Sequence, residues 1–397
     1  YDTSYEGAHS VQIRFTGIPG LFSFNQFAPL LHRPGLAKAL LENQAIAPSP
    51  PSLGNPPTAE LTVSNAPKGG RRVAKVIAYS SRELSSIRIY VDGRLIQDNP
   101  VRGRRAELST DIADPSGGRW VSALAVDSQG IASLPSVVRL PGTVRPQGTA
   151  HIVAIGVDKY LDPKIEPLQS AKVDANNFVN AMAATEKRAF EAVRSVKLLD
   201  VDVTPQSVLS AVRDAVRDTG PNDTLVFFFA GHGVDGEKLG QPAAGLVLTT
   251  HQTQISDLSG TAVQWSALSK EISGSKGTVV VFLDACQSGI AGREAFTTND
   301  AIVSALFTKS GAPIVVFAGS KGRQPSQETD NGSGGRFTNA VVAAISSERS
   351  RHDLDRSGLM DLHEIYSAVK ARVAAETKGE QTPWLARNGL IGEMSLF

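Results

Sequence analysis

Four near-continuous apolar runs in the last two thirds of the chain constrain its fold more than any other feature. Strands with one solvated face alternate apolar and polar residues, whereas strands buried on both faces, as in parallel sheets, do not. Helical patterns over residues 171–183 and 207–217 separate some of these runs. The pattern predicts an α/β fold in which a mostly parallel sheet is flanked by helices, with functional groups at the carboxyl ends of its strands. The runs cover residues 152–157, 225–229, 279–283 and 314–318.

The region before these runs is made of short alternating segments. Residues 73–79 and 87–91 are such segments, and the turn pair Asp92-Gly93 follows the second one. Alternation bounded by turn residues is typical of antiparallel strands and hairpins. We therefore expect a small immunoglobulin-like β-sandwich in this part of the chain.

These patterns divide the 397 residues into three parts. Residues 1–58 form an N-terminal segment that ends in a proline-rich linker, residues 59–142 form the immunoglobulin-like β domain, and residues 148–397 form the α/β domain. Proline fixes the backbone and removes an N–H donor, so the linker is too proline-rich for a helix or a central strand. The first segment is interpreted either as the remnant of an upstream domain or as a spacer.

Composition excludes several functional classes. Apolar residues make up 41% of the chain and charged residues 20%, which favours packed cores over disorder. Lys and Arg total 40 against 39 for Asp and Glu, so the net charge of +1 provides no field that would attract nucleic acid or an anionic membrane. No apolar run approaches the ~20 residues that cross a bilayer. We therefore expect no nucleic-acid partner and no membrane span.

Cysteine usage and the chain start bear on the compartment. Cys286 is the single cysteine, so no disulfide can form within the chain. This usage suits a reducing compartment and is consistent with a cytoplasmic protein. The sequence starts at Tyr1 without a methionine or a signal-peptide pattern, so we expect the native N-terminus to lie upstream.

Two of the apolar runs lead directly into residues that can carry chemistry. Gly231-His232-Gly233 follows the run at 225–229, and Asp284-Ala285-Cys286 follows the run at 279–283. A thiol with a pKa of ~8.5 needs a nearby base to become a good nucleophile at neutral pH, and a histidine at the neighbouring strand end supplies one. Most lone cysteines are inert packing residues. Here the glycine-framed histidine favours a catalytic Cys–His pair instead.

The paired motifs resemble those of the caspase-like peptidases, and among them the bacterial relatives of metacaspases and paracaspases. His232 and Cys286 are 54 residues apart, close to the spacing of about 50 typical of that family. The resemblance spans residues 151–397 and includes residues 154–160, 173–175 and 335–338. Gln287 stands where metacaspases usually carry histidine, at a position that is not a catalytic group.

The resemblance assigns roles to individual residues. It implies a cysteine endopeptidase in which His232 is the general base and acid and Cys286 is the acylated nucleophile. It also implies that the backbone N–H groups of Gly233 and Cys286 form the oxyanion hole, which the small glycines next to these motifs would leave accessible.

Charge at three positions predicts which bond such an enzyme would cut. Caspases that cut after Asp line the pocket for the residue before the scissile bond with arginines, whereas this chain has Asp284 and Glu328 at the matching positions. Paracaspases, which cut after Arg, carry acidic groups there and a third at the match to Asp174. A cluster of carboxylates binds a guanidinium or ammonium group and repels an aspartate, so we expect peptide substrates with Arg or Lys at the cleavage site. The alternative is that Asp174 caps a helix and Asp284 serves the strand turn.

A second motif follows at residues 353–364, where the spacing matches an EF-hand loop. Ser357 replaces the usual Asp or Asn, and no second EF-hand accompanies the loop. We expect a calcium site with helices over residues 339–347 and 365–375, and the alternative is an aspartate-rich turn between helices. The expected ligands are Asp353, Asp355, Ser357, Leu359, Asp361 and Glu364.

Two other interpretations remain open. A caspase-like scaffold without catalysis would use its fold and the β domain only to bind a protein partner, or would respond to calcium. Arg293 and Lys309, between the Cys286 run and the next apolar run, are candidate sites of self-cleavage.

Overall fold

The computed structural model describes residues 11–33, 35–42, 44, 53–64, 70–113, 119–141, 146–286, 313–321, 324–388 and 390–397. The chain forms two compact units. One comprises residues 1–143 and 391–394, and the other comprises residues 144–390 and 395–397. None of the helices in the described ranges is long and apolar enough to cross a membrane.

The first unit is built around two antiparallel sheets that share one core. In one sheet the strand order is β3-β4-β7, and in the other it is β6-β5-β8-β9. Alternate residues of both sheets, such as Val76 and Ile89, are fully buried in a common cluster. The result is the predicted immunoglobulin-like sandwich. Its strands are β3 (Thr58–Val63), β4 (Arg71–Tyr79), β5 (Leu84–Val91), β6 (Arg94–Pro100), β7 (Arg105–Ala113), β8 (Trp120–Asp127) and β9 (Ser136–Arg139).

The Asp92-Gly93 turn and the N-terminal elements also belong to this unit. Asp92 and Gly93 have φ of 44° and 76°, and Val91 pairs with Arg94, so the predicted two-residue hairpin turn is confirmed. Phe22 and Phe27 are fully buried in a cluster with Ile131. The N-terminal elements are β1 (Gln12–Ile13), β2 (Phe22–Ser23), α1 (Ala28–Leu31) and α2 (Leu36–Leu41).

The second unit contains a sheet in the order β11-β10-β12-β15-β16-β17. The first five strands are mutually parallel, and β17 is antiparallel to β16. The four apolar runs form β10, β12, β15 and β16, so the mostly parallel sheet is confirmed. The strands are β10 (Thr149–Gly156), β11 (Ala192–Leu199), β12 (Thr224–Asp235), β13 (Leu246–Leu248), β14 (Val263–Gln264), β15 (Thr278–Cys286), β16 (Ile314–Ala318) and β17 (Trp384–Asn388).

Helices accompany this sheet, and local sequence sets where they begin. The Thr204 side chain accepts a hydrogen bond from Ser207 N–H, and Pro205 opens the helix, so a capping box starts α4. Phe178 of α3 stacks on Phe228 of the sheet at 4.5 Å between ring centroids, which docks α3 on one sheet face. The helices are α3 (Ala171–Ala183), α4 (Pro205–Asp218), α5 (Leu258–Thr261), α6 (Trp265–Ile272), α7 (Arg336–Ile345), α8 (Arg349–His352) and α9 (Leu362–Glu376).

Candidate active site

His232 and Cys286 are paired residues on two neighbouring parallel strands. The register of β12 with β15 runs from the Thr224–Thr278 pair to the His232–Cys286 pair, where it ends. The backbone therefore brings the two motifs together at one edge of the sheet, as predicted. His232 lies within β12 and not after it, because β12 continues to Asp235 by pairing antiparallel with β13. The described residues include neither the side chain of Cys286 nor residues 287–312. Gln287, Arg293 and Lys309 belong to that range.

The imidazole of His232 is fully buried and held from two sides. Its Nε2 lies 2.9 Å from the carbonyl oxygen of Glu166, and its ring lies 5.3 Å from the ring of Tyr160. A carbonyl oxygen only accepts hydrogen bonds, so Nε2 carries the proton when the ring is neutral, and Nδ1 is then the basic nitrogen. The backbone of His232 is fixed as well, because Thr249 donates to its carbonyl oxygen from both N–H and hydroxyl at 2.9 Å.

The predicted acidic residues line one cavity at the same sheet edge. The cavity opens to solvent, and it reaches Gly231, the residue before His232. Asp174 and Asp284 are buried, with 3% and 5% of their surface exposed, whereas Glu328 is half-buried. The structure therefore brings all three carboxylates together. The lining residues are Leu168, Ala171, Asp174, Ala230, Gly231, Asp284, Gln327, Glu328 and Gly335.

Asp174 and Asp284 are fixed by separate donors. Both carboxylate oxygens of Asp174 accept hydrogen bonds from Gly335 N–H, at 2.8 and 3.0 Å. Asp284 Oδ2 accepts from the Thr338 hydroxyl at 2.7 Å. Gly335 comes directly before α7, the helix that carries Thr338, so the start of one helix orients both acids.

Burial and mutual repulsion shift the ionisation of this pair. Desolvation, together with the negative charge of Asp284, raises the pKa of Asp174 to about 8, although the bond from Gly335 N–H opposes the shift. Desolvation likewise raises the pKa of Asp284, against the lowering effect of hydrogen bonds from Thr338 and Ser326. The two carboxyls therefore hold a proton at neutral pH while no cation lies between them.

Residues other than Asp174, which the sequence suggested, cap the start of α3. Ser170 is the N-cap of α3 and makes no side-chain cap bond, and Asp174 lies one turn inside the helix. Asp158 Oδ1 accepts from Ala171 N–H at 2.7 Å, and Glu328 Oε1 accepts from Ser170 N–H at 2.7 Å. The alternative role of Asp174 as a cap is thus wrong, because Asp158 and Glu328 supply the acceptors at the helix start.

Comparison with known proteins identifies the family of the chain. The caspase domain model of the C14 peptidase family matches residues 149–394. The chain belongs to this caspase-domain family. Peptidases of this type act on proteins or peptides through a cysteine, so the caspase domain of this chain is a hydrolase domain of the cysteine peptidase class. No curated protein matches the chain in sequence.

Two solved structures are similar to the caspase domain. Protein GSU0716 from Geobacter sulfurreducens matches 62% of this chain and 95% of its own, with 18% sequence identity and a TM-score of 0.43. Pro-sf-caspase-1 matches 61% of this chain and 91% of its own, with 12% identity and a TM-score of 0.35.

The candidate site also contains contacts that the sequence did not identify. Glu166 contacts His232 through its backbone carbonyl, so the identity of its side chain could not predict this contact. Tyr160 belongs to the segment that carried the family resemblance, but nothing in the sequence shows that it packs on His232. Asp158 follows the first buried strand, and its position at a strand end and within residues 154–160 of the family resemblance indicated a role without showing which one.

The loop at residues 353–364 gathers the expected acidic groups. Carboxylate oxygens of Asp353, Asp355 and Glu364 lie within 4.8 Å of one another. Arg356 and Gly358 have φ of 55° and 82°, and this left-handed backbone folds the loop over these oxygens. Three hard oxygen donors from loop positions 1, 3 and 12 fit the chemistry of calcium.

The remaining expected ligands have other partners, and the helix before the loop is short. The Ser357 hydroxyl donates to the carbonyl of Leu359 at 2.9 Å, and the Asp361 carboxylate caps α9 by accepting from Glu364 N–H at 2.8 Å. The incoming helix was expected over residues 339–347. It ends instead at Ile345, and the one-turn helix α8 precedes the loop.

Proposed function

We propose that this caspase domain is a cysteine endopeptidase that cuts after Arg or Lys through a Cys286–His232 dyad. The proposal depends chiefly on one observation. The cavity beside His232 contains three carboxylates, and none of the residues that line it is basic. Three converging acids favour a cationic side chain at the cleavage site, and a set of this kind resembles that of paracaspases among the bacterial relatives.

In the proposed acylation step, Nδ1 of His232 takes the thiol proton and the sulfur of Cys286 attacks the scissile carbonyl carbon. The carbonyl oxygen becomes an oxyanion, for which the N–H groups of Gly233 and Cys286 are the proposed donors. The contact of His232 Nε2 with the Glu166 carbonyl supports this role of Nδ1, because it keeps the ring in one tautomer. It also stabilises the imidazolium that forms.

Collapse of the tetrahedral intermediate breaks the peptide C–N bond. The imidazolium returns its proton to the leaving nitrogen, which departs as a free amine and leaves a thioester on Cys286. Water then attacks the thioester while His232 takes a proton from it, and the acid product leaves as the thiol is restored. Each turnover consumes one water and needs no cofactor.

Substrate preference follows from the charge balance of the cavity. An Arg or Lys side chain entering it would displace the proton that Asp174 and Asp284 share and form charge-assisted hydrogen bonds. An Asp side chain would add a negative charge to a buried acidic set and lose its hydration as well. We therefore propose that peptides ending in Asp are not cleaved.

Fluorogenic peptides that differ only in the residue before the scissile bond test this function. Wild type should release fluorophore from the Arg and Lys peptides and not from the Asp peptide, and Cys286→Ala and His232→Ala should release none while keeping a cooperative melting transition. Turnover in either variant would exclude the dyad, and cleavage after Asp would exclude the pocket assignment. A folded wild type inactive on every peptide would favour the non-catalytic scaffold. Intact mass after long incubation, compared with Cys286→Ala, tests self-cleavage at Arg293 or Lys309.

We also propose that the loop at residues 353–364 binds one calcium ion. The clustering of the Asp353, Asp355 and Glu364 oxygens supports the proposal, because these groups come from both ends of the loop. The alternative is a turn held by its own bonds, such as that from Leu354 N–H to Glu364 Oε1 at 2.6 Å.

Isothermal titration of the full chain with calcium separates these alternatives. Wild type should show one site, Asp353→Asn and Glu364→Gln should each lose it, and Glu376→Gln at the far end of α9 should keep it. Glu364→Gln keeps one acceptor oxygen for the loop N–H groups but loses the bond of the second oxygen with Asp361 N–H, so thermal melts of this variant accompany the titration. Absence of binding at millimolar calcium would leave the turn as the only role of the loop.

A further inference from the structure

Gln381 is a fully buried glutamine just beyond the end of α9. Its side-chain amide bridges two other parts of the caspase domain. Nε2 donates to the carbonyl oxygen of Gly319 at 2.8 Å, and Oε1 accepts from Gln327 N–H at 2.9 Å. A carbonyl only accepts and an N–H only donates, so the amide has one orientation that satisfies both partners.

One of these two partners, Gln327, lines the cavity, and the other, Gly319, lies beside a residue that lines it. Gly319 N–H donates to the carbonyl of Leu283, the residue before Asp284, at 2.8 Å. A Cβ placed on Gly319 would lie 3.1 Å from Asp284 Oδ1, so this glycine is directly beside the Asp284 carboxylate. Gln327 lines the cavity and precedes Glu328. Gln381 therefore connects the residue beside Asp284 to the segment that carries Glu328.

The bridge is itself held in place. The Thr377 hydroxyl donates to the carbonyl of Gln381 at 3.2 Å, and Gln381 N–H donates back to that hydroxyl at 3.1 Å. Two neighbouring bonds run parallel to the bridge, from Thr382 N–H to Gln324 Oε1 at 2.9 Å and from Gln327 Nε2 to Glu380 Oε2 at 3.1 Å. The segment after α9 thus holds residues 324–328 in place through these hydrogen bonds.

We infer that Gln381 is a positioning residue for the specificity pocket, which fixes the spacing between Asp284 and Glu328 and so sets the affinity for a cationic side chain. The inference deepens the proposed Arg/Lys function and rests on it. Gln381 lies outside the lining of the cavity and acts through Gly319 and Gln327. Its contribution is preorganisation, since carboxylates already in place lose less entropy when a cation binds.

Removing the amide has a local consequence. Gln381→Ala leaves the Gln327 N–H and the Gly319 carbonyl without this partner in a buried setting, and such groups move toward water. A displacement of about 1 Å in a binding group can cost up to ~100-fold in rate. We expect kcat/KM on Arg peptides to fall about tenfold or more, mainly through KM, with no change in the rate at which iodoacetamide alkylates Cys286.

Hydrogen exchange of the full chain tests the positioning without any reference to activity. Gln381→Ala should speed exchange in peptides that cover residues 319–335 and leave those from β10 and β12 as in wild type. Gln381→Glu keeps the acceptor for Gln327 N–H but turns a second oxygen toward the Gly319 carbonyl in a fully buried setting, so it should speed exchange over residues 319–335 at least as much. Gln206→Ala, an exposed glutamine on α4, is the matched control. Unchanged exchange over residues 319–335 in Gln381→Ala and Gln381→Glu would overturn the inference.

Kinetics on the same variants separate this inference from the proposed function. A fall in kcat/KM for Arg peptides with unchanged alkylation of Cys286 supports the positioning role. Equal losses in cleavage and alkylation would indicate general damage and overturn it. If wild type cleaves no Arg peptide and does not bind benzamidine, the proposed function fails, and the specificity part of the inference fails with it. The exchange result then still decides whether Gln381 positions the segment.

Discussion

Asp174 and Asp284 bring their carboxylates to one point, the place where a side chain on Gly335 would begin. Asp284 Oδ2 and Asp174 Oδ2 lie 2.6 and 3.0 Å from that point. Two buried carboxylates this close do not both ionise readily, and they retain a proton that an entering cation must release. The proposed specificity of the enzyme is therefore coupled to pH.

Arg peptides should bind more tightly as pH rises toward about 8. This is the pKa to which burial and the Asp284 charge raise the Asp174 carboxyl. Below this pH a bound cation has to expel the shared proton, which weakens binding, and above it the pair is already ionised. The expected result is a KM that falls with rising pH, with a slope approaching tenfold per pH unit well below the pKa. Initial rates on an Arg peptide between about pH 5.5 and pH 9 measure it.

Two controls separate the titration of Asp174 and Asp284 from that of the Cys286–His232 dyad in that experiment. Alkylation of Cys286 by iodoacetamide follows the titration of the dyad alone, and its pH profile is subtracted from that of cleavage. Asp174→Asn removes one titrating group and should flatten the remaining dependence of KM. A KM independent of pH in wild type would show that the two acids do not share a proton in the free enzyme.

The same repulsion predicts that Asp174 lowers stability at alkaline pH. Its pKa is raised in the folded state, to about 8, so folding binds a proton there. The stabilisation is complete at acidic pH and is lost as pH rises through the folded pKa. Asp174→Asn keeps an oxygen acceptor for Gly335 N–H without the charge. Its Tm should come nearest to that of wild type at about pH 4, and the excess should grow as pH rises to about 8, by about 2–4 °C for each kcal/mol of relieved repulsion. Thermal melts at both pH values provide the measurement, and a wild type at least as stable as the variant at about pH 8 would contradict it.

The parallel sheet and the pairing of His232 with Cys286 were predictable because buried strands leave continuous apolar runs. The ends of parallel strands then meet at one edge by geometry alone. Acidic residues at the pocket were predictable only from the family resemblance. Nothing in the local pattern distinguishes Asp174, which faces the cavity, from a helix cap.

Other parts of the site leave no local signal in the sequence. The carbonyl of Glu166 holds the His232 ring, and a carbonyl is present at every residue. Glu328 was expected in the pocket, and it lines the cavity while its Oε1 also accepts from Gln169 and Ser170 at the start of α3, a contact between distant parts of the chain. Gln381 is a polar residue after a helix, and only the tertiary fold shows that it is fully buried between two segments of the cavity.

Removing charge from two of the three predicted pocket acids, Asp284 and Glu328, should have unequal effects. Asp284 is 5% exposed, and a buried charge pair that loses one partner typically costs ~3–5 kcal/mol, so Asp284→Asn should lower kcat/KM on Arg peptides by about two orders of magnitude or more. Glu328 is half-buried and its Oε1 caps α3, so Glu328→Gln keeps the cap and should cost about tenfold or less. Steady-state kinetics on matched Arg peptides compare them. An Asp284→Asn enzyme with an unchanged preference for Arg would show that the cation binds elsewhere.

Gly335 offers the most local test of where the cation binds. Its φ of −70° and ψ of 144° suit any residue, so an alanine there adds no backbone strain. The added methyl group would lie between the Asp174 and Asp284 carboxylates, where it displaces both oxygens and occupies space that a guanidinium needs. Gly335→Ala should therefore lower kcat/KM on Arg peptides by about 100-fold. Iodoacetamide should still alkylate Cys286 at the wild-type rate, because the dyad lies on β12 and β15, and Ser333→Ala on the exposed part of the same loop serves as the matched control. Full Arg cleavage by a folded Gly335→Ala enzyme would place the cationic side chain outside this cavity.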